Sequence, residues 1–331
     1  MRDPSQLVFL NKDDVHALLP YSACIPLMRE AFEAVSRKQA VQPIRTAMRL
    51  PDQSGLLGMM PGYVESNGTL GIKIVSVFPG NFGTEHRSHQ GLVILYDHQN
   101  GCPKAILDGG AITAIRTASA SAVATSLLAR PESRTVLILG YGEQAEAHLM
   151  ALSTQNPAFD FQVWGRSNSK AEQFAQAQSE RLSIPVRACT NLQSACEQAD
   201  IICTTTAAKD PILLGEWLRP GTHLNIVGSS TPNERELDHE AVQKAKFFCD
   251  YEASLRELGG EFRAAIDAGA ITHEHLLGEI GDVLIGECPG RETDRDITMF
   301  KSLGMISQDL LASQHILDRA LLLEGGQTIR L

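Results

Sequence analysis

The sequence lacks the features that mark several classes of protein. It contains seven cysteines but no C-x-x-C pair, so neither a disulfide framework nor a zinc site is expected, and no metal is predicted. It has no run of five or more basic residues and its net charge is −10, which argues against a nucleic-acid or anionic-membrane partner. The first residues lack the apolar stretch of a signal peptide, and no run of about 18 apolar residues is found for a membrane span. A soluble, cytoplasmic protein is therefore expected.

From about residue 134 the chain alternates short apolar runs with helical patterns, one of them at about 168–182. Strands that alternate with helices predict βαβ units and a Rossmann-type, doubly wound parallel sheet. The last run, DVLIG, is followed by a polar loop and a predicted helix from about Thr298 to Leu323. The strand-like runs are TVLIL (135–139), FQVW (161–164), IICTTT (201–206), HLNIV (223–227), FFCD (247–250) and DVLIG (282–286).

The first 130 residues have a different pattern. A helix at roughly 13–38 precedes strand-like runs separated by Gly, Pro and Asn, which predicts an α+β domain with a mixed or antiparallel sheet. The stretch from Ala111 to Ala129 contains no Gly or Pro and reads as one long connector helix. Because the final helix lies beyond the doubly wound domain, we expect it to return to the first. The prediction is an α/β protein with a discontinuous domain of residues 1–120 and 300–331 and a Rossmann domain of residues 121–299.

A glycine-rich turn follows the TVLIL strand. Gly140, Gly142 and Ala145 have the spacing G-x-G-x-x-A at the start of a helix. The first glycine permits a tight turn, the second lets the backbone approach a pyrophosphate, and the alanine allows close packing of helix and strand. The motif alone is weak, but its strand–turn–helix context predicts a dinucleotide site.

The end of the second strand indicates which nucleotide binds. About 20 residues past the motif, an NAD enzyme usually carries an acid that holds the ribose 2′-hydroxyl. This sequence has Arg166 and Ser167 there, and Lys170 three residues later. Charge-assisted donors suit a 2′-phosphate, which favours NADP over NAD. Two alternatives stay open: the cations decorate the start of a helix, or NADH is accepted as well.

Three cations of the first domain lie in apolar or turn contexts. Arg45 is in PIRTAMRL, Lys73 in LGIKIVSVFPGN and Arg116 in the connector helix. Burying a charge is costly unless something negative pairs with it. A substrate carboxylate shared by all three is one solution. Three separate structural ion pairs, or side chains that face water, are the others.

The chain resembles the ornithine cyclodeaminase / μ-crystallin family nearly from end to end. The resemblance implies a homodimer whose discontinuous N-terminal domain binds substrate and forms the dimer interface. It also implies that Arg45, Lys73 and Arg116 bind the carboxylate of an amino or imino acid. Cofactor contacts are implied for Thr117, Gln144 and Thr205, with Ser302 near the nicotinamide. The stretches that carry the resemblance are VQPIRTAMRL, LGMMPGY, GIKIVSVFPGN, SHQGLVILYDHQNGCPKAILDGGAITAIRTASASAVAT, LILGYGEQAEAHL, LLGEWLRPGTHLNIVGSSTPNERELD and MFKSLGM.

Two positions indicate the branch of that family. Ornithine cyclodeaminases have an aspartate where this chain has Ser230, and a glutamate where it has Gly58. Ketimine reductases resembling μ-crystallin have a serine in a run similar to GSSTPNEREL. The resemblance therefore implies NAD(P)H-dependent reduction of a cyclic ketimine carboxylate, giving L-proline or L-pipecolate.

Several alternatives remain at this point. The chain is also compatible with an amino-acid dehydrogenase, with an ornithine cyclodeaminase, and with a μ-crystallin-like protein that binds small ligands. Ser230 is a candidate for hydrogen bonding to the ring nitrogen or for orienting a water molecule. The alternative is a serine that shapes the loop and caps the next helix.

Overall fold

The computed structural model describes residues 6–81 and 84–330, which form two units. One comprises the chain up to Arg116 together with the chain from Met305 onward, and the other runs from Thr117 to Gly304. The predicted boundaries, after residue 120 and before residue 300, differ from these by a few residues. The first elements in chain order are β1 (Gln6–Leu10), α1 (Lys12–Leu18), α2 (Tyr21–Ser36), β2 (Ala40–Val41), β3 (Thr46–Arg49), β4 (Leu56–Val64), β5 (Thr69–Val77), β6 (His89–Tyr96), β7 (Pro103–Asp108) and α3 (Gly109–Leu128).

The second unit is built from alternating strands and helices, and the chain then returns to the first unit. The elements of the second unit after α3 are β8 (Thr135–Leu139), α4 (Glu143–Gln155), β9 (Asp160–Trp164), α5 (Asn168–Leu182), β10 (Val186–Ala188), α6 (Leu192–Gln198), β11 (Ile201–Thr204), β12 (His223–Ile226), α7 (His239–Lys244), β13 (Ala245–Cys249), α8 (Glu252–Leu258), α9 (Gly260–Asp267), β14 (Leu276–Glu279), α10 (Ile280–Ile285) and β15 (Ile297–Lys301). The last elements, in the first unit, are α11 (Ile306–Leu322) and β16 (Gln327–Arg330).

The sheet of the first unit has the order β16-β1-β7-β6-β5-β4-β2, with β3 also paired to β4. Its strands pair antiparallel except for β1 and β7. Helix α11 packs on one face, where glycines make room for it: a Cβ on Gly71 would lie 2.6 Å from Leu310 Cδ2. A Cβ on Gly62 would likewise meet Ile306 at 2.5 Å. The opposite face of β4, β5 and β6 is not covered by this helix.

The sheet of the second unit has the order β10-β9-β8-β11-β12-β15-β13-β14, and every pair is parallel. The chain moves outward from β8 to β10, then crosses back to β11 on the other side. This reversal is the switch point at which doubly wound sheets bind ligands, outside the carboxyl ends of their strands. The predicted fold class, a Rossmann-type sheet with a separate α+β unit, is confirmed.

Three predicted elements are wrong. The segment predicted as the start of a helix from Thr298 forms β15, which inserts between β12 and β13. The DVLIG run is helical, since Glu279 and Asp282 form a capping box and Gly286 ends α10 in the left-handed conformation. The single helix at 13–38 is two helices, separated where Pro20 begins the second.

The connector helix is found close to its predicted position, as α3. By length and composition alone it is apolar enough to cross a membrane, although Arg116 and several Ser and Thr residues interrupt its apolar run. However, 83% of its apolar window is buried inside the protein. This burial is typical of a core helix in a globular protein.

Candidate active site

The glycine-rich turn between β8 and α4 has the geometry of a phosphate cradle. Gly140 has φ +127°, and a Cβ there would lie 2.7 Å from Thr205 Oγ1, so only glycine fits. Gly142 is the N-cap of α4, and a Cβ there would meet nothing within 4 Å. The amino end of α4 is therefore open to an anion, as a dinucleotide pyrophosphate requires.

Other predicted cofactor residues surround this turn or end the neighbouring strands. The Thr205 hydroxyl donates to the Leu139 carbonyl at 2.9 Å, and Thr117 in α3 is buried. Within the residues that the structure describes, the side-chain oxygens of Gln144 and Ser302 are buried without a hydrogen-bond partner. Buried polar atoms of this kind normally find a partner. Their orphan state fits a polar ligand at the carboxyl edge of the sheet.

The residues predicted to bind the 2′ substituent of the ribose lie between β9 and the first turn of α5. Ser167 is the N-cap of α5, and its hydroxyl accepts from the Lys170 amide at 3.4 Å. The side chains of Arg166 and Lys170 are exposed. Gly165 leaves no room for a Cβ, because the Tyr141 ring packs against it. Two exposed cations therefore follow β9, where an NAD enzyme usually carries an acid that holds the ribose 2′-hydroxyl.

The first unit gathers a buried cluster of charges around Asp309. Lys73 Nζ, on β5, donates to Asp309 Oδ1 at 3.0 Å and to Thr113 Oγ1 at 2.5 Å. Arg116, on α3, donates from Nε to the same Asp309 oxygen at 3.3 Å and from a terminal nitrogen to Gln308 Oε1 at 3.0 Å. Lys73, Arg116 and Asp309 are all at most 5% exposed. One carboxylate oxygen thus holds two cations side by side.

The electrostatics of this cluster favour a second anion. Burial lowers the pKa of Lys73 to about 8; Asp309 opposes the change, while the charges of Arg116 and Arg45 add to it. Arg45, half-buried before β3, is therefore close enough for its charge to act on Lys73. Lys73 and Arg116 share the single carboxylate of Asp309, so this pair leaves a local surplus of positive charge, which a substrate carboxylate would balance.

The structure shows how two of these cations are paired. Lys73 and Arg116 are not in separate ion pairs, because they share Asp309. Sequence reasoning missed Asp309, which lies 236 residues from Lys73 along the chain. The available signal was an acid in the first turn of the final helix, where it also suits the helix dipole.

In the loop after β12, two adjacent serines differ in their exposure to solvent. Ser230 is exposed, whereas Ser229 is buried. The Ser229 hydroxyl donates to Glu261 Oε1 at 2.5 Å, and Lys301 Nζ donates to both the Ser229 carbonyl and its hydroxyl at 2.7 Å. Lys301 also lies 2.9 Å from Glu261 Oε2, and neither side chain is exposed. The alternative that Ser230 caps the next helix is wrong, since Asp238 caps α7.

A second buried carboxylate ties this loop to the neighbouring strand. Glu236 accepts from the Gly228 amide at 2.8 Å and from the Thr204 hydroxyl at 2.6 Å. It also accepts from the amide and hydroxyl of Thr206 at 2.8 and 2.7 Å. The sequence at the end of β12 contains no acid. The side chains of Glu236 and Glu261, which come later in the chain, nevertheless contact the residues that follow this strand. Neither was predicted.

Comparisons with known proteins agree with this arrangement. A sequence model of the ornithine cyclodeaminase/mu-crystallin family matches residues 6–323. The ketimine reductase mu-crystallin of Mus musculus is 37% identical, covering 94% of this chain and 96% of its own. A Δ1-pyrroline-2-carboxylate reductase of Bacillus cereus (strain ZK / E33L) is 32% identical, covering 98% and 99%. The solved structure of the Thermococcus litoralis Δ1-pyrroline-2-carboxylate reductase with NADH and L-proline superposes with a TM-score of 0.94, at 31% identity over 98% of this chain and 100% of that one. This chain belongs to the ornithine cyclodeaminase/mu-crystallin family.

Proposed function

We propose that the protein reduces a cyclic ketimine carboxylate, Δ1-pyrroline-2-carboxylate or its six-membered homologue, to L-proline or L-pipecolate with NADPH. The chain is an NAD(P)H-dependent oxidoreductase that acts on a C=N bond, as are the named reductases that match nearly its full length. The observation that carries the finer proposal is the buried cationic cluster of Lys73 and Arg116 around one carboxylate. A small, singly charged carboxylate is the ligand that such a surplus fits.

The proposed division of labour follows from these contacts. Arg45, Lys73 and Arg116 bind the substrate carboxylate and so fix the orientation of the ring. The reduced nicotinamide supplies, when bound, a hydride for C2 of the protonated imine, which becomes a secondary amine. Ser230 hydrogen-bonds the ring nitrogen or a water beside it. A preformed, protonated imine is already electrophilic, so the loop requires no acid of its own to expel ammonia.

The direct assay follows NADPH oxidation with Δ1-pyrroline-2-carboxylate, with ornithine tested in parallel for ammonia release. Rapid oxidation with a silent ornithine assay supports the proposal. Ammonia and proline from ornithine, without oxidation of NADPH by the imine, would show a cyclodeaminase that works without an acid at position 230. Comparing the five- and six-membered imines measures ring preference, where one methylene is worth about 1–3 kcal/mol.

The pKa of Lys73 predicts a descending limb in the pH profile. Because burial lowers the pKa of Lys73 to about 8, the free enzyme loses this positive charge as pH rises through that value. We expect kcat/KM for the imine acid to fall above pH 8. The limb in kcat should lie at higher pH, since a bound carboxylate favours the charged ammonium.

Lys73→Arg is the matched control for this profile, because arginine stays charged throughout the range. The variant should lose the limb assigned to Lys73 while it keeps any limb caused by titration of the substrate. An unchanged profile in Lys73→Arg would show that another group titrates.

We also propose that two copies associate through the uncovered face of the antiparallel sheet. Directly opposed residues of β4, β5 and β6 share this face, and they are apolar: Met59 opposes Ile74, which opposes Leu92. Met59 and Leu92 are 40% and 42% exposed. A contiguous apolar patch of this kind is typical of a subunit interface.

Leu92→Glu should convert the dimer to a monomer, because it places a charge in the centre of that patch. Light scattering coupled to gel filtration measures the mass. Leu322→Glu, at an equally apolar but 71% exposed position on α11, is the control and should leave the mass unchanged. A dimer that survives Leu92→Glu would remove this face as the interface.

A further inference from the structure

A buried charged cluster in the second unit has no part in the mechanism given above. It comprises Lys301, Glu261, Ser229 and Glu236, and each of these side chains is at most 2% exposed. Burying three ionisable groups together is costly unless they satisfy one another. Here they do so around one short piece of backbone, residues 228–229, immediately before exposed Ser230.

The contacts show what the cluster restrains. Lys301 Nζ holds the Ser229 carbonyl at 2.7 Å, and Glu236 holds the Gly228 amide at 2.8 Å. The Ser229 side chain is fixed from two sides, by the ammonium of Lys301 and by the carboxylate of Glu261. The Gly228 amide and the Ser229 carbonyl, on either side of these two residues, are therefore bound by buried charged groups, and hydrogen bonds to such groups are strong.

The charge states agree with this arrangement. Burial alone would raise the pKa of Glu261, but the Lys301 ammonium and the Ser229 hydroxyl outweigh it and hold that pKa below its ordinary value. Burial raises the pKa of Glu236, and Lys301 together with the threonine hydroxyls opposes the rise. Lys301 is thus the common counter-charge of both carboxylates.

The backbone at Gly228 packs too closely against its neighbours to carry a side chain. A Cβ at this position would lie 2.4 Å from Glu236 Oε1 and would also meet the Thr206 carbonyl. Lys301 ends β15, and Ser302 follows it with its amide bonded to the Ile226 carbonyl at 3.0 Å. The same lysine therefore links the ends of β12 and β15, the two strands that carry Ser230 and Ser302.

We propose that Lys301 is a positioning residue that sets the direction of the Ser230 side chain through Ser229 and Glu261. The assignment of a catalytic consequence rests on the function proposed above, whereas the restraint on the loop does not. Lys301 itself touches neither substrate nor cofactor in this account. Its effect is on the step in which Ser230 acts, and not on binding of the nucleotide.

The test compares Lys301→Met with Lys246→Met. Lys246 lies at the amino end of β13, where it pairs with Glu292 and Asp296 away from the loop. Hydrogen exchange followed by mass spectrometry reports the amides of residues 228–231 in the full-length protein. We expect exchange there to rise about tenfold or more in Lys301→Met and to stay unchanged in Lys246→Met.

Kinetics provide the second readout. In Lys301→Met we expect kcat for the imine to fall about 30- to 100-fold, while the Kd for NADPH and the KM for the imine change less than about threefold. A role in folding alone would lower the melting temperature without this separation of kcat from KM. Faster exchange with full kcat would overturn the positioning role.

Ser229→Ala keeps the test decisive if Lys301→Met fails to fold. It removes the bridging hydroxyl while the pair of Lys301 and Glu261 remains. The same rise in exchange and fall in kcat are expected, to a smaller extent. Unchanged exchange at residues 228–231 would overturn the proposal. If the wild-type protein reduces no ketimine, the proposed function fails, yet the exchange comparison still decides whether Lys301 restrains the loop.

Discussion

Lys73→Met is expected to lower kcat/KM for the imine acid by a few hundred- to a thousandfold. The substitution removes one of the cations assigned to the substrate carboxylate, and it leaves Asp309 paired with Arg116 alone. Truncating one partner of a buried, hydrogen-bonded charge pair at a binding site costs about 2–5 kcal/mol of binding free energy. About 3.5–4 kcal/mol corresponds to the expected loss, since each 1.36 kcal/mol is tenfold. Steady-state kinetics with NADPH measure it, and the Kd for NADPH should change little.

Lys104→Met is the matched control for this loss. Lys104 lies on β7 of the same sheet, where it contacts Gln314, and no role in the site is assigned to it. It should retain wild-type kcat/KM. If Lys73→Met kept most of its activity, the buried cluster would be a structural feature and not the carboxylate site.

Arg166→Asp is expected to reverse the preference between the two nicotinamide cofactors. The exposed guanidinium is assigned to the 2′-phosphate of NADPH, and an aspartate at this position repels that phosphate while it accepts from the 2′-hydroxyl of NADH. Losing one charge-assisted contact and adding repulsion should raise the KM for NADPH about 100-fold or more. The KM for NADH should stay the same or fall.

Arg187→Asp controls for the change in overall charge, since Arg187 is also exposed but lies on β10 at the edge of the sheet. It should leave both KM values unchanged. Equal effects of Arg166→Asp on NADPH and NADH would show that Arg166 contacts the shared adenosine and not the 2′-phosphate.

Local signals were sufficient for much of the fold. The helix predicted at about 168–182 is α5, and the glycine motif lies between β8 and α4 as expected, because turn chemistry and periodicity act within a few residues. The prediction failed at β15, because its apolar sequence ITMFK is compatible with either a helix or a strand. Four residues, 302–305, separate β15 from the true start of α11, and Gly304 among them has φ +82°. Pairing with β12 and β13, a long-range effect, decides that segment.

The residues of the site likewise divide into those that the sequence indicates and those that it does not. Arg45, Lys73 and Arg116 stand out from the sequence because a cation within an apolar pattern is conspicuous. Asp309 and Lys301 do not, because their partners lie 236 and 72 residues away and their own segments resemble ordinary strand and helix ends. The roles of the cofactor residues and the dimer interface stay predictions until they are measured.

The most direct test of the central claim traces the hydride. Δ1-Pyrroline-2-carboxylate is reduced with NADPH that carries deuterium at both positions of C4, and the product is analysed by mass spectrometry and NMR. The account predicts one equivalent of NADPH consumed and L-proline with a single deuterium at C2. No NADPH consumed and no deuterated proline from the imine, with proline and ammonia formed from ornithine in a parallel reaction, would contradict it.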